Sequence, residues 1–107
     1  MSNNPTDPGV ITTVQERDQT RVQQPPMYRV LLHNDDFTTK EFVVQVLVAV
    51  FHKGLAEATA LMWQVHRQGM GVAGIFTREV AETKVATVTA LAREAEFPLR
   101  VTMEPEP

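Results

Sequence analysis

Between Pro26 and Pro98 the chain runs for 71 residues, 27–97, without a proline. Proline lacks a backbone N–H and fixes φ, so it interrupts helix interiors and central strands alike. Nearly all regular structure must therefore come from this one window. Apolar residues keep to the same division. Residues 1–26 contain only five (Met1, Val10, Ile11, Val14, Val22), whereas residues 27–107 contain 41 of 81. The first segment has too little apolar surface to offset its ordering entropy. This predicts a disordered or weakly ordered arm over 1–26 and a single domain over 27–107.

Within the window, Met27-Tyr-Arg-Val-Leu-Leu-His33 is rich in strand-favouring residues and precedes the turn-forming Asn34-Asp35-Asp36. Thr38-Thr-Lys-Glu41 fits a capping box and predicts a helix start at Thr38. Phe42, Val43, Val46, Leu47, Val50 and Phe51 then recur at helical spacing, and Gly54 is expected to end the helix in a left-handed conformation. A second helix carries Ala58, Leu61, Met62 and Val65 on one face and stops at Gly69. Gly71–Phe76 reads as a strand. Thr77 is expected to cap a third helix in which Ala81, Lys84 or Val85, Val88, Leu91 or Ala92, and Ala95 recur every three to four residues, Pro98 to stop it, and Leu99–Met103 to form a last strand. The order β-α-α-β-α-β predicts an α/β (α+β) fold. It should be a small two-layer sandwich, with three helices against a three-stranded, mostly antiparallel sheet.

Several function classes are excluded or disfavoured. The chain has no cysteine, hence no disulfide framework, thiol nucleophile or cysteine zinc site. The apolar run Phe42–Phe51 is broken by Gln45 and falls far short of a membrane span. The start Met-Ser-Asn-Asn-Pro lacks the features of a secretory signal, so a cytoplasmic protein is expected. A net charge of −3 with mixed signs argues against binding nucleic acid through its phosphates.

The polar residues that stand out are Asn34, Asp35 and Asp36 at the first strand-to-helix turn, with His33 before them and His66 near the end of the second helix. Asn and Asp are common turn formers, and a histidine at the rim of an apolar face is commonly a boundary residue. Three chemistries could nevertheless use them, of which nucleophilic catalysis is the least favoured, since no Gly-x-Ser-x-Gly, cysteine or phosphate-cradling loop is present. A metal-binding or metal-dependent hydrolytic domain would recruit His33, Asp35, Asp36 and His66, although no His-Glu-x-x-His or comparable spacing is present. Alternatively, carboxylates, an amide oxygen and a neutral imidazole nitrogen are all hydrogen-bond acceptors, and an ammonium group with three donors is their matching guest.

Met-Tyr-Arg-Val-Leu-Leu-His-Asn-Asp-Asp-Phe-Thr (27–38), Ala-Thr-Ala-Leu-Met-Trp-Gln-Val-His-Arg-Gln-Gly (58–69) and Gly-Ile-Phe-Thr-Arg-Glu-Val-Ala-Glu-Thr-Lys-Val (74–85) resemble the ClpS family, the adaptors of the bacterial N-end rule. The resemblance covers residues 26 to about 104. It implies a non-catalytic, monomeric adaptor without cofactors. Such an adaptor binds proteins whose first residue is Leu, Phe, Tyr or Trp and delivers them to the ClpA unfoldase of the ClpAP protease. Carried over by position, Asn34, Asp35, Asp36 and His66 would surround the substrate α-amino group. Leu32, Thr38, Val43, Met62, Val65 and Leu99 would line the side-chain pocket, Glu79 and Lys84 would dock on the unfoldase, and the arm would serve in handing substrate over.

The sequence departs from the family at Lys40, where the family commonly has a methionine that gates the pocket against β-branched residues. A lysine stem could cover the pocket while its charge reaches water. A changed or looser specificity is expected, together with weaker binding of peptides whose second residue is basic.

Overall fold

The computed structural model describes residues 24–107. Most of the arm expected over 1–26 lies outside them; its last three residues are exposed and in neither helix nor strand. The described elements are β1 (Met27–His33), α1 (Lys40–Ala49), α2 (Leu55–Gln68), β2 (Met70–Thr77), α3 (Arg78–Glu94) and β3 (Arg100–Pro105). This is the expected order. The sheet runs β2-β1-β3 with both pairings antiparallel, and a bulge between Val30 and Leu31 adds Ala73 to the β2 side.

Strand alternation sets the layers. Val30 and Leu32, both fully buried, point toward the helices and join Val46, Leu47, Ala58, Val65, Ala81 and Val88 in one core. Residues directly opposite across a ladder share a face, so Leu31 lies on the other side, between Val72 and Thr102. α2 and α3 pack on the strands, while α1 packs on α2.

The strands β2 and β3 are shifted or extended by one or two residues from expectation, and the helix ends differ in their caps. α1 is capped by Thr39, whose hydroxyl accepts the Phe42 N–H at 3.1 Å, because Thr38 is already bonded to Asp35. Gly54 is not the left-handed residue after α1. Its φ is −68, it stands at the N-cap of α2, and His52 takes the positive φ of 58 instead. The exit from α1 is held there by Lys53 N–H to the Leu47 carbonyl and by the Lys84 ammonium on the Val50 carbonyl. α3 ends before Pro98, with Glu96 left-handed at φ 63 and Phe97 N–H donating to the Ala92 carbonyl, a Schellman closure. Thr77 occupies the N-cap of α3, but its hydroxyl makes no cap bond.

Candidate functional site

Asn34–Asp36 follow directly on β1, and His66 stands in the last turn of α2. Two backbone features bring them together. His33 pairs with Met70 at the end of the β1–β2 ladder, and Asn34 N–H donates to the Gly69 carbonyl at 2.8 Å. Gly69, at φ 92, reverses the chain in a conformation that costs glycine nothing sterically. Gly71 then lets β2 run close beneath α2: a Cβ there would lie 3.0 Å from Val65 Cγ2 and 3.2 Å from Leu61 Cδ1.

At this junction opens a cavity of about 410 Å3, within the ~300–1,000 Å3 usual for small-ligand sites. Asn34, Asp35, Asp36 and His66 supply its polar border, and Thr38 and Lys40 border it from the start of α1. Val43, Met62 and Val65, each under 10% exposed, form its apolar side. The sequence reading thus named nine residues that meet at one cavity. Leu32 and Leu99 do not border it; both are buried in the core. Phe37, Thr39 and Glu41 also line it and were not among the expected site residues, though the unbroken stretch 34–41 is signal enough.

Asp35 is held by its own loop. Its Oδ1 accepts N–H bonds from Phe37 at 2.8 Å and Thr38 at 2.7 Å, and its Oδ2 accepts the Thr38 hydroxyl at 2.7 Å. Partial burial is the largest single influence and raises its pKa, but the Thr38 and Phe37 bonds together outweigh it and hold the carboxyl below its ordinary value. A carboxylate has about four lone-pair positions, so one remains for a guest. Asn34, Asp36 and His66 side chains make no hydrogen bond among the described residues and stay free to accept. The C-terminal end of α2, in contact with Asn34, adds partial negative charge. The whole suits a cation with several N–H donors attached to an apolar body.

His33 does not belong to this site. Strand alternation turns it to the face opposite Leu32, where its Nε2 lies 2.7 Å from Thr102 Oγ1. Among the described residues no three His, Asp or Glu side chains are placed to share a metal ion, so the metal-dependent alternative loses its ligand set.

Glu79 and Lys84 border a different depression, about 530 Å3, between the end of α1 and α3. The Lys84 ammonium is turned inward there, 2.6 Å from the Val50 carbonyl and 5.9 and 5.6 Å from the Phe51 and Phe76 ring centres. No helix of the described residues is long and apolar enough to cross a membrane.

Known proteins resemble this chain over most of its length. Residues 23–102 match the family model described as ATP-dependent Clp protease adaptor protein ClpS. The ATP-dependent Clp protease adapter protein ClpS of Desulforapulum autotrophicum is 55% identical over 98 residues, covering 88% of this chain and 94% of the relative. That of Myxococcus xanthus is 52% identical over 100 residues, covering 94% and 92%. Among solved structures, Agrobacterium tumefaciens ClpS2 bound to L-phenylalaninamide superposes with a TM-score of 0.75 at 44% identity, covering 78% of this chain and all of that one.

Proposed function

Because the chain belongs to the ClpS family of ATP-dependent Clp protease adaptors, we propose that the Asn34–His66 cavity receives the first residue of a protein substrate. Adaptors of this family are not themselves catalysts. The observation that carries the reading is the convergence of unoccupied acceptors and an apolar wall on one cavity. The similar ClpS2 holds a phenylalanine derivative with a free amino group and an aromatic side chain, the two features this cavity suits.

Asn34, Asp36 and His66, with the remaining acceptor position of Asp35, take the α-ammonium. Thr38, Val43, Met62 and Val65 meet a Leu, Phe, Tyr or Trp side chain. Burying such a side chain is worth roughly 1.5–3 kcal/mol, and a hydrogen bond to a charged group about 1.5–3 kcal/mol. Neither alone overcomes the cost of association. An internal leucine lacks the ammonium and leaves the acceptors unpaired, so the site reads the chain terminus and its side chain together. Met62 is unbranched and polarizable and accommodates several shapes.

The partner that receives the substrate is a ClpA-type unfoldase, met in the cytoplasm by a monomeric adaptor through the face containing Glu79 and Lys84. Residues 1–26 act in delivery rather than binding. Removal of residues 1–25 leaves peptide affinity within twofold and slows degradation of a Leu-initiated substrate by the reconstituted protease. Loss of peptide binding on truncation contradicts that division.

A further inference from the structure

Beside the cavity, cations from two helices converge on one aromatic ring. Lys40 Nζ, from the first residue of α1, lies 5.6 Å from the centre of the Trp63 ring, and Arg67 Cζ, one turn along α2, lies 5.0 Å from it. Neither cation has a carboxylate partner among the described residues, whose ion pairs are Arg29–Glu104, Arg29–Glu106, Lys53–Glu57 and Arg78–Glu82. The ring borders a second depression of about 380 Å3, lined by Lys40, Glu41, Val44, Gln45, Met62 and Trp63. Lys40, Glu41 and Met62 also border the first cavity, so the two depressions lie side by side and share these residues.

We propose that this groove is a second subsite for the same peptide, and that Lys40 and Arg67 make it favour an acidic side chain at the second or third residue. The proposal rests on the reading that the cavity holds residue one. A chain leaving the cavity across Lys40 enters the groove, and the charges change sign along that path, from Asp35 and Asp36 in the cavity, past Lys40 on the border shared by both, to Arg67 beside the Trp63 ring. The complement is an ammonium followed closely by a carboxylate. Trp63 holds both cations near its ring, which limits the side-chain freedom lost when they pair. Glu41, the one carboxylate lining the groove, offsets Lys40, so the excess positive charge there comes from Arg67, 5.0 Å from the centre of the Trp63 ring that lines it. The apolar wall of Val44 and Trp63 strengthens these charges by excluding water from one side.

The test compares labelled peptides beginning Leu-Asp-Glu, Leu-Ser-Gly, Leu-Phe-Phe and Leu-Lys-Lys, each with a free or acetylated amino group, by fluorescence anisotropy. Leu-Asp-Glu is expected to bind about three- to tenfold more tightly than Leu-Ser-Gly, and Leu-Lys-Lys correspondingly more weakly, the range two exposed ion pairs supply. Lys40→Gln and Arg67→Gln each reduce the ratio between acidic and neutral peptides, the double variant brings it within twofold of unity, and 0.5 M salt does the same. Equal affinities, or a ratio insensitive to both substitutions, overturn the proposal. Tightest binding by Leu-Phe-Phe assigns the groove to an apolar side chain and also overturns it. Equal binding of free and acetylated forms overturns the cavity reading itself, and this subsite with it.

Discussion

Thr38 engages both oxygens of the Asp35 carboxylate, its N–H on Oδ1 and its hydroxyl on Oδ2, each at 2.7 Å. The pair fixes the loop between β1 and α1 and leaves Thr39 to cap the helix. Since the folded state holds the Asp35 carboxyl below its ordinary value of 3.8, the stabilisation is complete above that value and is lost as pH falls through the lower folded one. Asp35→Asn removes this dependence. The difference in denaturation midpoint between native and variant proteins is expected to shrink from pH 6 to pH 3. Parallel midpoint curves would refute the role of the Thr38 bonds.

His33 gives a second pH dependence, at higher pH. Partial burial is the main cause that lowers its pKa from 6.5; the Arg100 charge opposite it adds to the effect and Glu104 opposes it. A group with a depressed folded value binds fewer protons when folded. Stability is therefore full above about 6.5 and falls as pH drops through the folded value. His33→Gln should flatten the thermal midpoint between pH 7.5 and 5.5, measured against the native protein. An unchanged slope tells against the burial of His33 between β1 and β3.

Met62 tests whether the cavity wall is also core. It is 6% exposed and borders both depressions. Met62→Ala is expected to cost about 2–4 kcal/mol of stability and to weaken Leu-initiated peptides more than Trp-initiated ones, because the enlarged cavity fits the larger side chain better. Calorimetry and parallel titrations measure both, and equal loss for the two peptides goes against Met62 as a wall.

Glu79 and Lys84 separate docking from folding. Lys84 caps the end of α1 through the Val50 carbonyl, so Lys84→Ala should lower stability by about 1–2 kcal/mol. Glu79, exposed and bonded through no side-chain atom among the described residues, should change it by less than about 0.5 kcal/mol. Both substitutions should impair unfoldase-dependent degradation while sparing peptide binding. Normal degradation with Glu79→Ala removes this face from the docking surface.

Most of the fold is legible because composition, periodicity and punctuation agree: strand-favouring residues in 27–33, helical spacing in 42–51 and 58–65, and Gly69 where the chain must turn left-handed. The misplaced ends share one cause. Thr38 and Gly54 satisfy local rules, but Thr38 has Asp35 as a competing partner, and the Lys53 bond to Leu47 together with the long-range Lys84 bond to Val50 sets the exit from α1. The polar set Asn34, Asp35, Asp36 and His66 is legible as exceptions to an apolar pattern. Its assembly depends on the His33–Met70 and Asn34–Gly69 pairings, which no local signal specifies. The side of the sheet taken by His33 follows from alternation with Leu32 and was readable. The meeting of Lys40 and Arg67 at Trp63 joins two helices and was not.

One titration tests recognition of the chain terminus most directly. Peptides beginning with Leu, Phe, Ile or Gly, each with a free or an acetylated amino group, are measured against the native chain and against His66→Ala. Free Leu and Phe peptides should bind, Gly should bind at least tenfold more weakly, and both acetylation and His66→Ala should reduce Leu binding by tenfold or more. Binding that survives acetylation, or that does not distinguish Leu from Gly, would contradict recognition of the chain terminus at the Asn34–His66 cavity.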